Sequence, residues 1–226
     1  MAISCMIVAE AGAGKSTAIE FLDPKETFII NIAGKPLPFK GWKTKYTKFD
    51  PKTKLGNIYE TSDSTLIVRL LDIINNDLPH IKNIVIDDLQ YLSSFEYMAR
   101  ADEPGFAKFN SIGKNLYNVV IKPKELREDL ILFYLTHVEV DTDMNGVKRQ
   151  KAKTIGKMID SVITLEGLFT IVLFGKVKKT KEGIKHIFET VNSGDNTCKT
   201  PRNMFEKEEI ENNLQIVRES ILNYQD

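Results

Sequence analysis

The apolar residues of this chain are gathered into short runs separated by polar stretches. Short apolar runs rich in β-branched residues are typical of buried strands. The runs predict strands at residues 3–8, 28–32, 84–86, 130–135, 161–165 and 170–174, and the segment 184–191 is expected to pair beyond a lysine-rich turn. The stretches between these runs are therefore the places to look for helices and loops.

Helical spacing appears between and after the predicted strands. Residues 16–22 suit a helix that Asp23 and Pro24 end, and Ser64 opens a second helix with one apolar face: Leu66, Ile67, Leu70, Leu71 and Ile74. A terminal amphipathic helix is marked by Ile210, Leu214, Val217 and Ile221. Strands that alternate with helices predict an α/β fold with a mostly parallel central sheet, followed by a C-terminal β-hairpin plus helix. We expect a single domain over residues 1–226.

Composition and charge narrow the class of protein. The 226 residues are 42% hydrophobic and 27% charged, which excludes a collagen-like or wholly disordered chain. Because 31 basic residues balance 31 acidic ones, affinity for nucleic acid must come from local patches. Cys5 and Cys198 have no Cys or His neighbour at metal-ligand spacing, so we expect a reducing cytoplasm and no disulfide framework or zinc site. No apolar run approaches the roughly 20 residues that span a bilayer, so no membrane partner is expected.

A glycine-rich loop follows the first predicted strand. Residues 9–16 read AEAGAGKS, the P-loop pattern with Ala9 in place of its usual first glycine. Small residues let backbone N–H groups wrap a β-phosphate, a lysine reaches the β- and γ-phosphates, and a hydroxyl ligates Mg²⁺. The predicted ATP-binding residues are Glu10, Ala11, Gly12, Ala13, Gly14, Lys15, Ser16 and Thr17. Lys15 is also a predicted catalytic residue, and Ser16 a predicted Mg²⁺ ligand.

A P-loop requires a second metal-binding carboxylate at the end of a neighbouring strand. Residues 83–88 read NIVIDD, an apolar strand capped by acids, which has the form of a Walker B motif. Asp87 is predicted to hold Mg²⁺ through water, and Asp88 to polarise the attacking water.

The next predicted strand ends in Thr136 and His137. Open parallel sheets bind ligands outside the carboxyl ends of their strands, so His137 is a candidate catalytic residue that senses the γ-phosphate. A purely structural histidine is the alternative. Glu139 and Glu60 remain rival catalytic bases.

The order of P-loop, Walker B strand, polar strand end and basic loop resembles the RecA-type ATPase core, over about residues 1–175. GKPLPF at 34–39, and KTP and MF between 199 and 205, resemble short phage-encoded ATPases of the RecA-like single-strand-annealing group. The resemblance implies a RecA-like P-loop fold, ATP and Mg²⁺, a role in phage recombination or replication inside a bacterial host, and a homo-oligomer with ATP at subunit interfaces.

Two departures from the RecA-type pattern affect the expected activity. The sequence begins at the P-loop strand, so we expect the N-terminal polymerisation segment of full recombinases to be absent. No glutamate follows the second strand, where RecA-type enzymes keep their catalytic glutamate. ATP hydrolysis is therefore expected to be slow or to depend on DNA.

Two basic segments are candidates for binding single-stranded DNA. In the first, lysines between residues 40 and 54 interleave with Trp42, Tyr46 and Phe49, as on surfaces where lysines follow phosphates and rings stack on bases. A solvated loop whose rings pack on the domain is the alternative. The second run lies after the fourth strand, where RecA-type proteins carry a mobile DNA-contacting loop, and includes Lys157. The predicted DNA-binding residues are Trp42, Lys43, Lys45, Lys148, Arg149, Lys151 and Lys153.

Two other patterns are assigned no function. The lysines of residues 176–181 suit an exposed hairpin turn. Residues 141–146 imitate the start of an EF-hand, but Ala152 stands at the position of the required glutamate.

The sequence thus predicts a Mg-ATP-dependent ATPase that acts on single-stranded DNA. One alternative is a P-loop kinase for a small molecule, although a kinase lid would need several arginines and these loops are rich in lysine. The other is a nucleotide-gated interaction protein with little turnover.

Overall fold

The computed structural model describes residues 1–142, 146, 148–155 and 163–225. Its strands are β1 (Ile3–Ala9), β2 (Thr27–Asn31), β3 (Ile58–Glu60), β4 (Asn83–Asp87), β5 (Ile131–Thr142), β6 (Lys148–Ala152), β7 (Ile171–Thr180), β8 (Gly183–Glu189) and β9 (Glu209–Glu211). Its α-helices are α1 (Trp42–Lys45), α2 (Ser64–Asp77), α3 (Gln90–Ala99), α4 (Ala107–Ile121) and α5 (Leu214–Gln225). Short 3₁₀ helices lie at Ser16–Phe21, Lys122–Glu125 and Leu165–Leu168.

The strands form one sheet in the order β3-β2-β4-β5-β1-β7-β8-β9, and β6 pairs with the far end of β5. The pairs from β3 through β7 are parallel, whereas β8, β9 and β6 are antiparallel to their neighbours. The predicted α/β fold is confirmed: the central sheet is mostly parallel, and the β7–β8 hairpin and helix α5 follow its parallel part in the chain.

Helices cover both faces of the sheet, which explains the continuous apolar runs of its strands. On one face, Met6 and Val8 of β1 belong to a core that also includes Ile67 and Leu71 of α2. On the other face, Cys5 and Ile7 belong to a core with residues of the first 3₁₀ helix and α5: Ala18, Ile19, Leu214, Val217 and Ile221. The two buried cysteines are free thiols. Within the described ranges, no helix has the length and apolarity needed to cross a membrane.

Several sequence-based boundaries were wrong. Strand β5 does not end at Thr136 but continues to Thr142, because its second half gains antiparallel hydrogen bonds from β6. Ile210 lies in β9 instead of in the terminal helix, since it pairs with Phe188 of β8. Residues 16–21 form a 3₁₀ helix. The strand predicted at 161–165 was also wrong for the residues that the structure describes: residues 163 and 164 are not in a strand, and Leu165 begins a 3₁₀ helix, while residues 161 and 162 lie outside the described ranges.

The parallel strands bring their carboxyl ends to one edge of the sheet. At this edge the P-loop leaves β1, Asp87 ends β4 and Asn31 ends β2. The strand β5 lies between β1 and β4, so His137, paired with Ala9, stands between the two motifs. Topology therefore gathers the predicted phosphate-binding residues at a single place.

Candidate functional site

The P-loop is a tight turn whose lysine folds back onto the loop itself. Gly12 and Gly14 have φ angles of 79° and 91°, in the left-handed region that side chains other than glycine rarely adopt. The Lys15 Nζ donates hydrogen bonds to the carbonyl oxygens of Ala9, at 2.9 Å, and Glu10, at 3.0 Å. Burial lowers the pKa of Lys15 to about 8, although the nearby carboxylates Asp88 and Asp87 oppose that change. The Lys15 ammonium group is thus held against the loop carbonyls and is largely shielded from water.

The chain's C-terminal part packs against this loop. A Cβ atom at Gly14 would lie 3.2 Å from Asn212 Oδ1 and 3.2 Å from His186 Nδ1. The side-chain amide of Asn212 also donates to the carbonyl oxygen of Ala13, at 3.3 Å. Gly14 is therefore required for close approach as well as for its backbone angle.

The two sequence motifs meet through one hydrogen bond. Ser16 Oγ donates to Asp87 Oδ1 at 2.9 Å, although the residues are 71 positions apart in the chain. Burial raises the pKa of Asp87 to about 6, and the adjacent Asp88 adds to this effect. A hydroxyl beside a buried carboxylate is a hard oxygen donor set that suits Mg²⁺. These residues therefore fit the predicted metal site.

Asp88 occupies a different environment from Asp87. Its backbone adopts a left-handed φ of 62°, and its carboxylate faces Lys35 Nζ at 2.5 Å and His137 Nε2 at 3.4 Å. Burial alone would raise the pKa of Asp88, but hydrogen bonds from His137 and Lys35 outweigh it and hold the pKa below its ordinary value. Two adjacent acids thus have opposite pKa shifts, an arrangement that separates their chemical roles.

A second group of residues positions these side chains. Gln90 Oε1 accepts a hydrogen bond from the backbone N–H of His137 at 3.2 Å. The ring of Tyr91 meets the His137 ring edge to face, with centroids 6.1 Å apart, and Lys35 Nζ lies 5.5 Å from the Tyr91 centroid. Asn31 Nδ2 donates to the carbonyl oxygen of Lys35 at 2.7 Å. The sequence alone did not identify Gln90, Tyr91, Lys35 or Asn31 as parts of the site. The one local signal for them was a lysine, Lys35, in the loop after the second strand.

The rival bases lie farther out. Glu139 follows His137 along β5 and pairs with Lys151 at 3.3 Å. Glu60 ends β3 and is separated from Asp87 by strand β2, which places their backbones about 10 Å apart. The last residue of β2, in register with Asp87, is Asn31 instead of a glutamate. Of the three candidate bases, Asp88, Glu139 and Glu60, Asp88 is the one that contacts Lys35 and His137 at the edge of the sheet.

The first basic segment is only partly available to a polymer. Trp42, Lys43 and Lys45 lie on the short helix α1, with the lysines exposed and the tryptophan half-buried. Lys43 Nζ lies 5.7 Å from the Trp42 ring centroid. Tyr46 and Phe49, however, are buried in the core, so the expectation that their rings alternate with lysines on an exposed surface was wrong.

The second basic segment is a strand instead of a loop. Lys148, Arg149 and Lys151 belong to β6, and Lys153 follows it; Lys157 lies outside the described residues. The register with β5 explains this, because Lys151 pairs with Glu139 across the ribbon. The backbone N–H of Lys153 donates to the carbonyl oxygen of His137 at 2.7 Å. The basic segment is thus joined by a main-chain hydrogen bond to a residue that contacts Asp88.

Comparison with known proteins adds little to this geometry. No family model and no curated protein matches the chain. Among solved structures, it is similar to the KaiC-like protein from the hyperthermophilic archaeon Pyrococcus horikoshii OT3, with a TM-score of 0.49 and 10% identity, covering 83% of this chain and 77% of that one. The fold class rests on the strand order of this chain and not on that likeness.

Proposed function

We propose that this chain is a Mg-ATP-dependent RecA-like ATPase that acts on single-stranded DNA, in phage recombination or replication in the cytoplasm of a bacterial host. The observation that carries the ATPase part is the 2.9 Å hydrogen bond from Ser16 to Asp87. It brings a P-loop hydroxyl and a strand-terminal carboxylate, predicted separately from the sequence, to one point. A coincidental glycine turn would not be expected to meet a buried acid in this way.

The residues of the site have different roles in ATP hydrolysis. The P-loop N–H groups and Lys15 bind the phosphates, and Ser16 with Asp87 would hold Mg²⁺, which neutralises charge on the phosphate oxygens when bound. Asp88 accepts a proton from the attacking water. The water oxygen bonds to the γ-phosphorus, the bond from that phosphorus to the β,γ-bridging oxygen breaks, and ADP and phosphate are released. His137 orients Asp88 through their contact.

The link to DNA is supported by the position of the second basic segment. Lys153 is exposed and lies directly after β6, and its backbone N–H is bonded to the His137 carbonyl oxygen. A polymer that bound the lysines of this ribbon would act on the strand that carries His137. Nucleotide state and DNA binding can thereby influence each other through β5 and β6.

The decisive experiment is the rate of phosphate release from Mg-ATP, measured with and without single-stranded DNA. We expect slow basal release that rises when oligo-dT is added. Transfer of the γ-phosphate to a small molecule without phosphate release would support the kinase alternative. Tight nucleotide binding with negligible turnover in both conditions would support the nucleotide-gated interaction protein.

A further inference from the structure

A second lysine, Lys35, reaches the catalytic acids from the loop after β2. Its Nζ lies 2.5 Å from Asp88 Oδ2. The side chain of Asp88 is 3% exposed, whereas that of Lys35 is 58% exposed. An exposed ammonium group on the solvent side therefore covers a buried carboxylate.

The backbone of Lys35 is held by a hydrogen bond, whereas its side chain is exposed to solvent. The side-chain amide of Asn31 holds the Lys35 carbonyl oxygen at 2.7 Å, and Asn31 is itself in register with Asp87. The Tyr91 ring, 5.5 Å from Nζ, offers a surface along which the cation can move. The loop thus delivers Lys35 to the phosphate end of the site while its four-carbon stem can change partner.

The Lys35–Asp88 ion pair differs from another short ion pair of this chain in the burial of its carboxylate. Lys82 and Asp129 also pair at 2.5 Å, just before β4 and β5, but there the carboxylate is 44% exposed and the lysine 33% exposed. Water can solvate either partner there if the pair opens. Asp88, in contrast, is buried and has a left-handed backbone, which costs energy and is commonest at functional positions. An alternative partner for Lys35 would have to be another anion close to Asp88.

The terminal phosphate of ATP would be that anion. Lys35, Lys15, Asp87 and Asp88 form one electrostatic group, because the Lys35 charge acts on both Lys15 and Asp87. A polyphosphate carries more negative charge than a single carboxylate, so it competes well for an ammonium group. ADP has no phosphate at the γ position and would leave the ion pair intact.

We propose that Lys35 is a second phosphate-binding lysine that exchanges Asp88 for the γ-phosphate when ATP binds. The exchange frees the Asp88 carboxylate to accept the proton of the attacking water. Lys35 thereby distinguishes ATP from ADP and keeps the base occupied until a γ-phosphate is present. This inference rests on the proposed ATPase function, because it requires that the P-loop bind ATP.

The test compares affinities for Mg-ATPγS and Mg-ADP by calorimetry in the wild type, Lys35→Met and Lys35→Arg. Loss of one charged hydrogen bond should weaken ATPγS binding by on the order of 10- to 100-fold in Lys35→Met. ADP binding should change by less than about threefold. Lys35→Arg keeps the charge and should recover part of the ATPγS affinity. Lys82→Met removes a lysine from an equally short ion pair away from the site and should alter neither affinity.

Two results would overturn the inference while leaving the proposed function in place. One is a Lys35→Met protein that binds both nucleotides like the wild type. The other is an equal loss of both affinities, accompanied by a lower melting temperature, which would indicate a merely structural ion pair. If the wild type bound neither nucleotide, the ATPase proposal would fail and this inference with it.

Discussion

The carboxyl edge of the sheet and the β5–β6 ribbon are both rich in charge, but they hold their charges differently. At the edge, Asp87 and Asp88 are almost completely buried, and their partners come from the P-loop, the loop after β2 and strand β5. On the ribbon, Lys151 is partly exposed and pairs with Glu139 and Asp141 of the adjacent strand. Exposed pairs of this kind contribute little and are screened by salt.

The difference suits the two functions that we propose for these regions, phosphate chemistry at the edge and DNA binding on the ribbon. Buried charges fixed by several elements keep one geometry, which chemistry at a phosphate requires. Partly exposed lysines can exchange a carboxylate for a DNA phosphate at small cost, which suits a polymer of variable sequence. Substitutions at the edge should therefore produce large and specific losses, and substitutions on the basic segments should produce small and salt-dependent ones.

The largest effect on nucleotide affinity is expected for Lys15→Ala. We expect nucleotide affinity to fall by more than about 100-fold, since two phosphates lose a charged donor. The fold should persist because the Lys15 ammonium points at the loop carbonyls and not into the core. Calorimetric titration with Mg-ATP measures the affinity, and Lys25→Ala, an exposed lysine before β2, is the control. Unchanged Mg-ATP affinity in Lys15→Ala would contradict the assignment of residues 9–16 as a P-loop.

Asp88→Asn should separate turnover from binding. We expect phosphate release to fall by about 10²- to 10⁴-fold, the usual contribution of a general base, with ATP affinity changed by less than about tenfold. Asp129→Asn, just before β5 at the opposite end of the sheet, should leave both quantities unchanged. Normal turnover in Asp88→Asn would mean that the catalytic base is Glu139, Glu60 or a residue of a neighbouring subunit.

Asp87→Asn should increase stability while weakening Mg²⁺-dependent binding. The pKa of Asp87 is raised by folding from 3.8 to about 6, so the folded state binds this proton more tightly than the unfolded chain does. The wild type therefore loses stability as pH rises through about 6, by on the order of 1–3 kcal/mol. At pH 8, Asp87→Asn should melt at a higher temperature than the wild type, and the difference should vanish near pH 4.

The same carboxyl gives the wild type a pH-dependent affinity. Protons compete with Mg²⁺ for Asp87, so the increase in nucleotide affinity caused by Mg²⁺ should become smaller as pH falls below about 6. Asp87→Asn should show little increase at any pH. A wild-type increase that stayed constant from pH 5 to pH 8 would contradict the assignment of Asp87 to the metal.

Trp42→Ala tests whether the first basic segment stacks on bases. Loss of a stacking ring should weaken oligo-dT binding by about 1–3 kcal/mol with little change in its salt dependence. Fluorescence anisotropy of labelled oligo-dT, with ATP and with ADP, measures this. Phe106→Ala removes an exposed ring outside the basic segments and is the matched control. Equal losses in the two variants would argue against a specific role of Trp42.

The smallest effect is expected on the ribbon. Replacing Lys151 and Lys153 with alanine should reduce the slope of log affinity against log salt by roughly 1 to 2 units, because each phosphate contact releases counterions. A double variant at Lys25 and Lys124, two exposed lysines elsewhere, should keep the wild-type slope. If the protein binds oligo-dT neither with ATP nor with ADP, the proposal that it acts on DNA fails. The different charge arrangements of the sheet edge and the ribbon would then not reflect two functions.

The sequence by itself determined the phosphate site to a large extent. Its P-loop and Walker B motifs are local patterns, in which spacing along the chain already specifies the chemistry. Buried parallel strands are likewise visible as apolar runs, since both faces of the sheet are covered. These features depend on neighbours in sequence, and the structure joins them through the bond from Ser16 to Asp87 as expected.

Only the tertiary structure decided which distant residues complete the site. Lys35, whose carbonyl oxygen is bound by Asn31, reaches Asp88 because β2 lies beside β4, and Asn212 reaches the P-loop because the C-terminal part of the chain returns to it. Burial also decided which rings of the first basic segment remain accessible, by placing Tyr46 and Phe49 in the core and leaving Trp42 half-buried. Strand order and burial are set by contacts between residues far apart in the chain, and no local pattern of amino acids encodes them.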